Sequence, residues 1–197
     1  MEGITTPPSA GYLELVLGPM WSGKTSHLLD LYAQYNVCSV PVLLVNYTGD
    51  EERGVERGTI KSHDGRIAPC CTVRKLSEIS NEALQKASVI LVNEAQFFPD
   101  AFTWISDAVE KHGKRVHAVG LDGDYLRRPF GDWLQLVPLA DKLHKQRAFC
   151  MKCKCREALF SHRISKECDR VELIGNEDMY QPLCRGCYQI ANPEVLQ

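Results

Sequence analysis

The stretch Gly18-Pro19-Met20-Trp21-Ser22-Gly23-Lys24-Thr25 has the spacing G-x-x-x-x-G-K-[ST]. Glycines at those two positions let the backbone curl so that successive N–H groups converge on phosphate oxygens. The lysine carries positive charge to the β- and γ-phosphates, and the hydroxyl supplies an oxygen for Mg²⁺. Such a loop works with a carboxylate at the tip of a neighbouring strand, which holds the metal or takes a proton. Glu94, in Val92-Asn93-Glu94-Ala95-Gln96, is the carboxylate placed to do this. Alone, each feature has a bland reading: a chance glycine turn, or a solvated glutamate. Together they point to a bound nucleotide.

A second constellation is Cys150-x-x-Cys153 with Cys184-x-x-Cys187. Four thiolates surround Zn²⁺ as a tetrahedron with no open position, so such a site staples the chain rather than catalysing. The chain holds nine cysteines; the odd count argues against a disulfide framework. Cys38, Cys70, Cys71, Cys155 and Cys168 read as free thiols. Cys155 lies two residues past Cys153, but the paired x-x spacing favours Cys153 as the ligand. Lys152, Lys154, Arg156, His162, Arg163, Lys166 and Arg170 crowd the same segment. They suit either a nucleic-acid grip or a solvated basic face. His63, in Ser62-His63-Asp64, stands in a polar stretch and remains a candidate, whereas His27, His112, His117 and His144 read as surface or core residues. Tyr125 and Phe130 follow a strand and fit base stacking and core anchoring equally well.

These groups need a scaffold. Leu13 to Leu17 reads as a strand ending at Gly18, and Ser26 to Tyr35 as the helix after the loop, its N-terminal dipole adding to the phosphate field. Further strands are expected at Pro41–Asn46, Ser88–Val92 and Val116–Leu121. Helices are expected at Ser77–Lys86, Asp100–His112 and Asp132–Leu143, with a polar loop from Tyr47 to Asp64. Alternating strands and helices imply an α/β parallel sheet with crossovers. Near Cys150 the pattern gives way to a short, polar, cysteine-rich unit. The expected organisation is an arm over 1–11, a nucleotide-binding domain over 12–148, a zinc-binding unit over 149–191 and a tail over 192–197.

With 197 residues and a net charge of −2, the chain carries no charge signal for non-specific nucleic-acid binding. No apolar run approaches the roughly 18 residues of a membrane span, and the N-terminal stretch MEGITTPPSAG lacks the basic and apolar parts of a secretory signal. The expectation is a cytoplasmic protein without membrane or nucleic-acid partners.

The segments LGPMWSGKT, SHD, NEAQFFPD, GLDGDYLRRPFG, LVPLAD, CMKCKCREALFSHR, VELIGNEDMY and CRGCY resemble, in order and spacing, the compact zinc-containing (type II) thymidine kinase family of animal cytosol, bacteria and large DNA viruses. The likeness runs from Leu13 to Tyr188. It implies a RecA-like P-loop domain and a zinc-stapled "lasso" over the nucleoside. The implied reaction is transfer of the ATP γ-phosphate to the 5′-hydroxyl of thymidine, with deoxyuridine second. By resemblance, Glu94 is the general base, and Gly18 through Thr25 with Asn93, Ala95 and Gln96 bind ATP. Phe97, Leu121, Tyr125, Phe130, Ser161 and Tyr180 line the nucleoside pocket. The main chain of Val171, Glu172, Leu173, Ile174 and Gly175 reads the base, and Cys150, Cys153, Cys184 and Cys187 hold zinc. Asp50, Glu51 and Arg53 match a catalytic loop. A homotetramer and inhibition by thymidine triphosphate are also implied.

Three residues depart from the pattern. Asn93 replaces an aspartate of the Mg²⁺ shell, leaving Thr25 with a neutral partner. Trp21 replaces a phenylalanine, and Cys155 is additional. A P-loop ATPase gripping nucleic acid through its zinc ribbon, and a nucleotide sensor without turnover, are the rival readings.

Overall fold

The computed structural model describes residues 10–49, 56–164 and 179–193. In chain order these form β1 (Tyr12–Leu17), α1 (Lys24–Val37), β2 (Val42–Tyr47), β3 (Thr59–Lys61), β4 (Ile67–Pro69), β5 (Cys71–Val73), α2 (Asn81–Lys86), β6 (Val89–Val92), α3 (Ala101–Glu110) and β7 (Arg115–Gly120). The C-terminal part adds β8 (Lys142–Lys145), β9 (Ala148–Phe149), β10 (Glu157–Ala158), β11 (Phe160–Arg163), β12 (Tyr180–Leu183) and α4 (Arg185–Ala191).

The central sheet has six strands in the order β5-β2-β6-β7-β1-β8, and every pairing is parallel. A parallel sheet needs cover on both faces, so its inner strands are continuously apolar. All four residues of β6, Val-Ile-Leu-Val, are buried. On one face Leu28 and Leu29 of α1 pack with Val16, Leu44, Leu91 and Val119. On the other, Ile105 of α3, Trp133 and Leu136 pack with Leu13, Leu15 and Ile90. β7 lies between β1 and β6, so the loops leaving those three strands share one end of the sheet.

The expected helix over Asp132–Leu143 is corrected. Trp133–Leu139 is a 3₁₀ helix containing Pro138, and the chain then enters β8 beside β1. Proline cannot donate within a helix, and pairing with β1 captures the residues beyond it. Asp141 N–H donates to Leu13 O at 2.9 Å, and Leu13 N–H donates to Asp141 Oδ2 at 2.8 Å. The expected helix over Ser77–Lys86 divides into a 3₁₀ turn at Leu76–Glu78 and α2, which opens where Ser80 Oγ accepts from Ala83 N–H at 3.2 Å. The polar loop from Tyr47 holds β3, which pairs with β4 as a hairpin, and short β5 extends the sheet beyond β2.

β1 also buries charge. Glu14 is 5% exposed, with His117 Nδ1 at 3.2 Å, His144 Nε2 at 3.1 Å and Lys142 Nζ at 3.4 Å from its carboxylate. Tyr12 donates to the same carboxylate at 3.3 Å, and Tyr35 OH lies 3.0 Å from His117 Nε2. Burial outweighs the attraction of Glu14 and lowers the His117 pKa to about 4. Burial raises the Glu14 carboxyl, but the neighbouring imidazoles and the Lys142 ammonium outweigh it and hold the group below its ordinary value.

The cysteine-rich part has its own core. β9 pairs with β10 and β11 with β12, both antiparallel. Ala148, Cys150, Ala158, Leu183, Cys184 and Tyr188 pack together, with Trp21 of the first loop against them.

Candidate active site and metal centre

The loop after β1 folds back over the start of α1. Gly23 has φ 82° and Trp21 φ 66°. The first is easy for glycine; the second costs a bulky residue roughly 1–2 kcal/mol and must be held by its surroundings. The Trp21 ring packs on His63 at 3.8 Å between centroids, the planes tilted by 34°. Lys24 is 9% exposed; its ammonium donates to Pro19 O at 2.7 Å and to Ser22 Oγ at 3.3 Å. Thr25 Oγ1 donates to Asn93 Oδ1 at 3.3 Å, and Asn93 Nδ2 donates to Asn46 Oδ1 at 3.0 Å.

Glu94 follows β6 in a left-handed turn, φ 53°. Its Oε2 accepts from Gln96 Nε2 at 2.6 Å, while Gln96 Oε1 accepts from Leu121 N–H at 2.9 Å. One amide thereby ties the carboxylate to the end of β7. Trp133 Nε1 donates to Leu121 O at 3.2 Å. Gly120 makes this junction possible, since a Cβ there would sit 2.6 Å from Gln96 Oε1 and 2.8 Å from the Trp133 ring. Ala95, expected at the ATP site, is fully buried and belongs to the main core.

One cavity gathers Met20 to Ser26 with His63, Asp64, Asn93, Glu94, Val119 and Leu121. His63 and Asp64 come from the β3–β4 turn. Ser62 donates to Asp64 Oδ1, and Arg66 clamps the turn to α1 through Asp64 at 3.0 Å, Asp30 at 2.5 Å and Ser26 O at 3.1 Å. The Ser62 hydroxyl first, then Arg66, holds the Asp64 carboxyl below its usual pKa against slight desolvation.

The aromatic residues form two groups. Phe97 stacks on Tyr47 at 5.2 Å and meets Phe130 edge-on at 5.4 Å. In the other group the Arg163 guanidinium lies 4.0 Å from the Tyr125 ring centroid. It also donates to Tyr180 OH from Nη2 at 2.8 Å and from Nε at 3.3 Å. Tyr188 donates to Tyr125 O. Ser161 Oγ accepts from Met20 N–H at 2.9 Å. Asp50, Glu51, Arg53 and the stretch Val171, Glu172, Leu173, Ile174, Gly175 lie outside the described residues. Sequence reasoning gave no site role to Asn46, Tyr47 or Tyr188, and read Arg163 only as one of a basic cluster. Their signal is weak, because each acts through a partner distant in sequence.

The sulfurs of Cys150, Cys153, Cys184 and Cys187 all lie within 4.8 Å of one another. Cys153 and Cys184 are 3.9 Å apart, against the roughly 3.8 Å that a tetrahedral Zn–S length of about 2.3 Å requires. The donor set therefore fits zinc. Cys155 is exposed and falls outside the set.

The family model for thymidine kinase matches residues 11–188. The thymidine kinase of Yaba monkey tumor virus is 40% identical over 179 residues, covering 91% of this chain and 95% of that protein. The thymidine kinase of Monkeypox virus is 37% identical over 180 residues, covering 91% and 98%. That of Vaccinia virus, strain Western Reserve, is 36% identical over the same length and the same shares.

Proposed function

The chain belongs to the thymidine kinase family, and from that premise we propose that it transfers the γ-phosphate of ATP to the 5′-hydroxyl of thymidine, with deoxyuridine second. The observation that carries this is the meeting of Glu94 with Lys24 and Thr25 on one cavity. A nucleoside kinase needs a phosphate cradle and a proton acceptor within the reach of a hydroxyl, and both line the same space.

Each group then has a part in the transfer. Backbone N–H groups of the Gly18–Thr25 loop and the start of α1 take the phosphates. Lys24 keeps one ammonium donor on Pro19 O and turns the others to phosphate oxygens, offsetting charge on the transferring group. Gln96 holds one oxygen of Glu94, which orients the carboxylate to take the proton of the sugar hydroxyl. Tyr125, Tyr180, Ser161, Phe97, Leu121 and Phe130 enclose the nucleoside, with the main chain of 171–175 reading the base. Thr25 and Asn93 would hold Mg²⁺, whose chemistry is to neutralise phosphate charge. Zn²⁺ on the four thiolates is structural. Residues 12–148 are the kinase domain and 149–191 the zinc-bearing lasso. A cytoplasmic homotetramer inhibited by thymidine triphosphate completes the proposal.

Release of ADP with each natural deoxynucleoside, at varied Mg²⁺, tests it. Thymidine should give the highest kcat/KM. ADP release that instead requires DNA or RNA, or ATP binding without turnover on any nucleoside, overturns it.

A further inference from the structure

We infer that Ser161 is a positioning residue for ATP, acting on Lys24 through the peptide unit between Pro19 and Met20. The inference rests on the kinase reading only for the identity of the nucleoside.

Both ends of one peptide group are held. Its N–H, on Met20, donates to Ser161 Oγ at 2.9 Å. Its C=O, on Pro19, accepts from the Lys24 ammonium at 2.7 Å. The described chain has no cis peptide, and a trans peptide is a rigid plane whose N–H and C=O point in opposite directions. Fixing one end therefore aims the other. Ser161 lies 141 residues along the chain from Met20, on β11 of the zinc-bearing unit. Met20 is 8% and Ser161 5% exposed, so water is a poor substitute for this acceptor. Trp21 tightens the same junction by packing against the core around Cys150 and Cys184.

The chemistry changes in two ways. The Met20 N–H is committed to Ser161, so the donors for phosphate come from the residues after it. A hydroxyl that accepts one hydrogen bond still has a proton to give, and among the described residues no hydrogen bond uses it. That proton can be donated to a carbonyl of the nucleoside base. One oxygen then touches the nucleoside on one side and, through a single peptide plane, sets the phosphate lysine on the other. Each substrate should favour binding of its partner.

The test is ATP affinity of the nucleoside-free enzyme, measured by calorimetry for wild type, Ser161→Ala and Ser161→Thr. Loss of a buried acceptor should weaken ATP binding about tenfold in Ser161→Ala, and threonine should restore it. Zinc content and melting temperature measured alongside separate this from general damage. Ser161→Cys, with its weaker acceptor, serves if the alanine variant does not fold and should also bind ATP more weakly. Unchanged ATP affinity in a folded Ala or Cys variant overturns the inference. Failure of thymidine to act as substrate leaves this ATP measurement untouched, so the two readings fail separately.

Discussion

Asn93 faces Asn46 across the β2–β6 pairing, with its Nδ2 donating to Asn46 Oδ1 at 3.0 Å. That bond turns the Asn93 oxygen toward Thr25, which donates to it at 3.3 Å. The amide oxygen thus faces the threonine hydroxyl to which the proposed function gives Mg²⁺, but it carries no charge. An aspartate here would set an acceptor against Asn46 Oδ1. Asn46 would then turn its own amide and give up its 3.5 Å bond to Thr59 O. Asn93→Asp should lower the Mg²⁺ concentration for half-maximal turnover by about threefold or more, since carboxylate charge tunes affinity for hard cations. A Mg²⁺ titration of turnover checks this, and a superimposable curve would count against any metal role for residue 93.

Glu94 is held by Gln96 and, through it, by Leu121 N–H. Glu94→Gln keeps the shape and removes the base. Its kcat should fall by about 10²–10⁴, the usual contribution of positioned proton transfer, while ATP affinity changes little. Steady-state kinetics beside ATP calorimetry separates the two. A large loss of ATP binding with little loss of kcat would move Glu94 from base to nucleotide ligand.

Much of this site was legible in the sequence because its signals are local. Gly18 to Thr25, Glu94 and the paired cysteines each announce themselves within eight residues or fewer. The inner strands were legible too, since burial on both faces leaves apolar runs such as Val89–Val92. Edge and capture effects were not. Residues 142–145 have three exposed positions and one half-buried position, so no pattern marks them as strand; only β1 makes them one. Asn46, Arg163 and Tyr188 likewise gain their roles from partners brought close by the fold. The three-residue strands β3, β4 and β5 are too short for periodicity to register.

The zinc assignment can be measured directly. Purified protein should hold one zinc per chain. Cys187→Ser should lose it and lower the melting temperature by roughly 10 °C, because structural zinc contributes several kcal/mol to folding. Cys155→Ser should retain the metal. Loss of zinc from the Cys155 variant instead would move the ligand set.

The buried Glu14–His117 pair predicts an acid limit. His117 is neutral in the fold, with a pKa of about 4 against 6.5 for the free side chain. Between those values the unfolded chain binds the proton and the native one does not, so stability falls as pH drops from about 6.5 toward 4. Glu14, whose pKa is lowered, adds a loss in the same direction once pH passes below its ordinary value of 4.5. Urea unfolding at stepped pH should show this slope, and His117→Asn should flatten its upper part. An equal slope in both proteins would place the titrating group elsewhere.

The sheet order also sets a timetable for synthesis. β1 leads into the Gly18–Thr25 loop and is made first, yet among the described residues its strand partners are β7 and β8. The ribosome must add the 103 residues from Tyr12 to Arg115 before the first of these pairings can begin, about 5–21 s at ordinary elongation rates. During that interval a strand whose last five residues end up buried has nothing to pair with. The nascent chain therefore exposes its most apolar N-terminal segment longest, and the Gly18–Thr25 loop is fixed only after more than half of the polypeptide has been made. A chaperone that shields Leu13–Leu17 early in translation would raise the yield of active enzyme more than one acting after release.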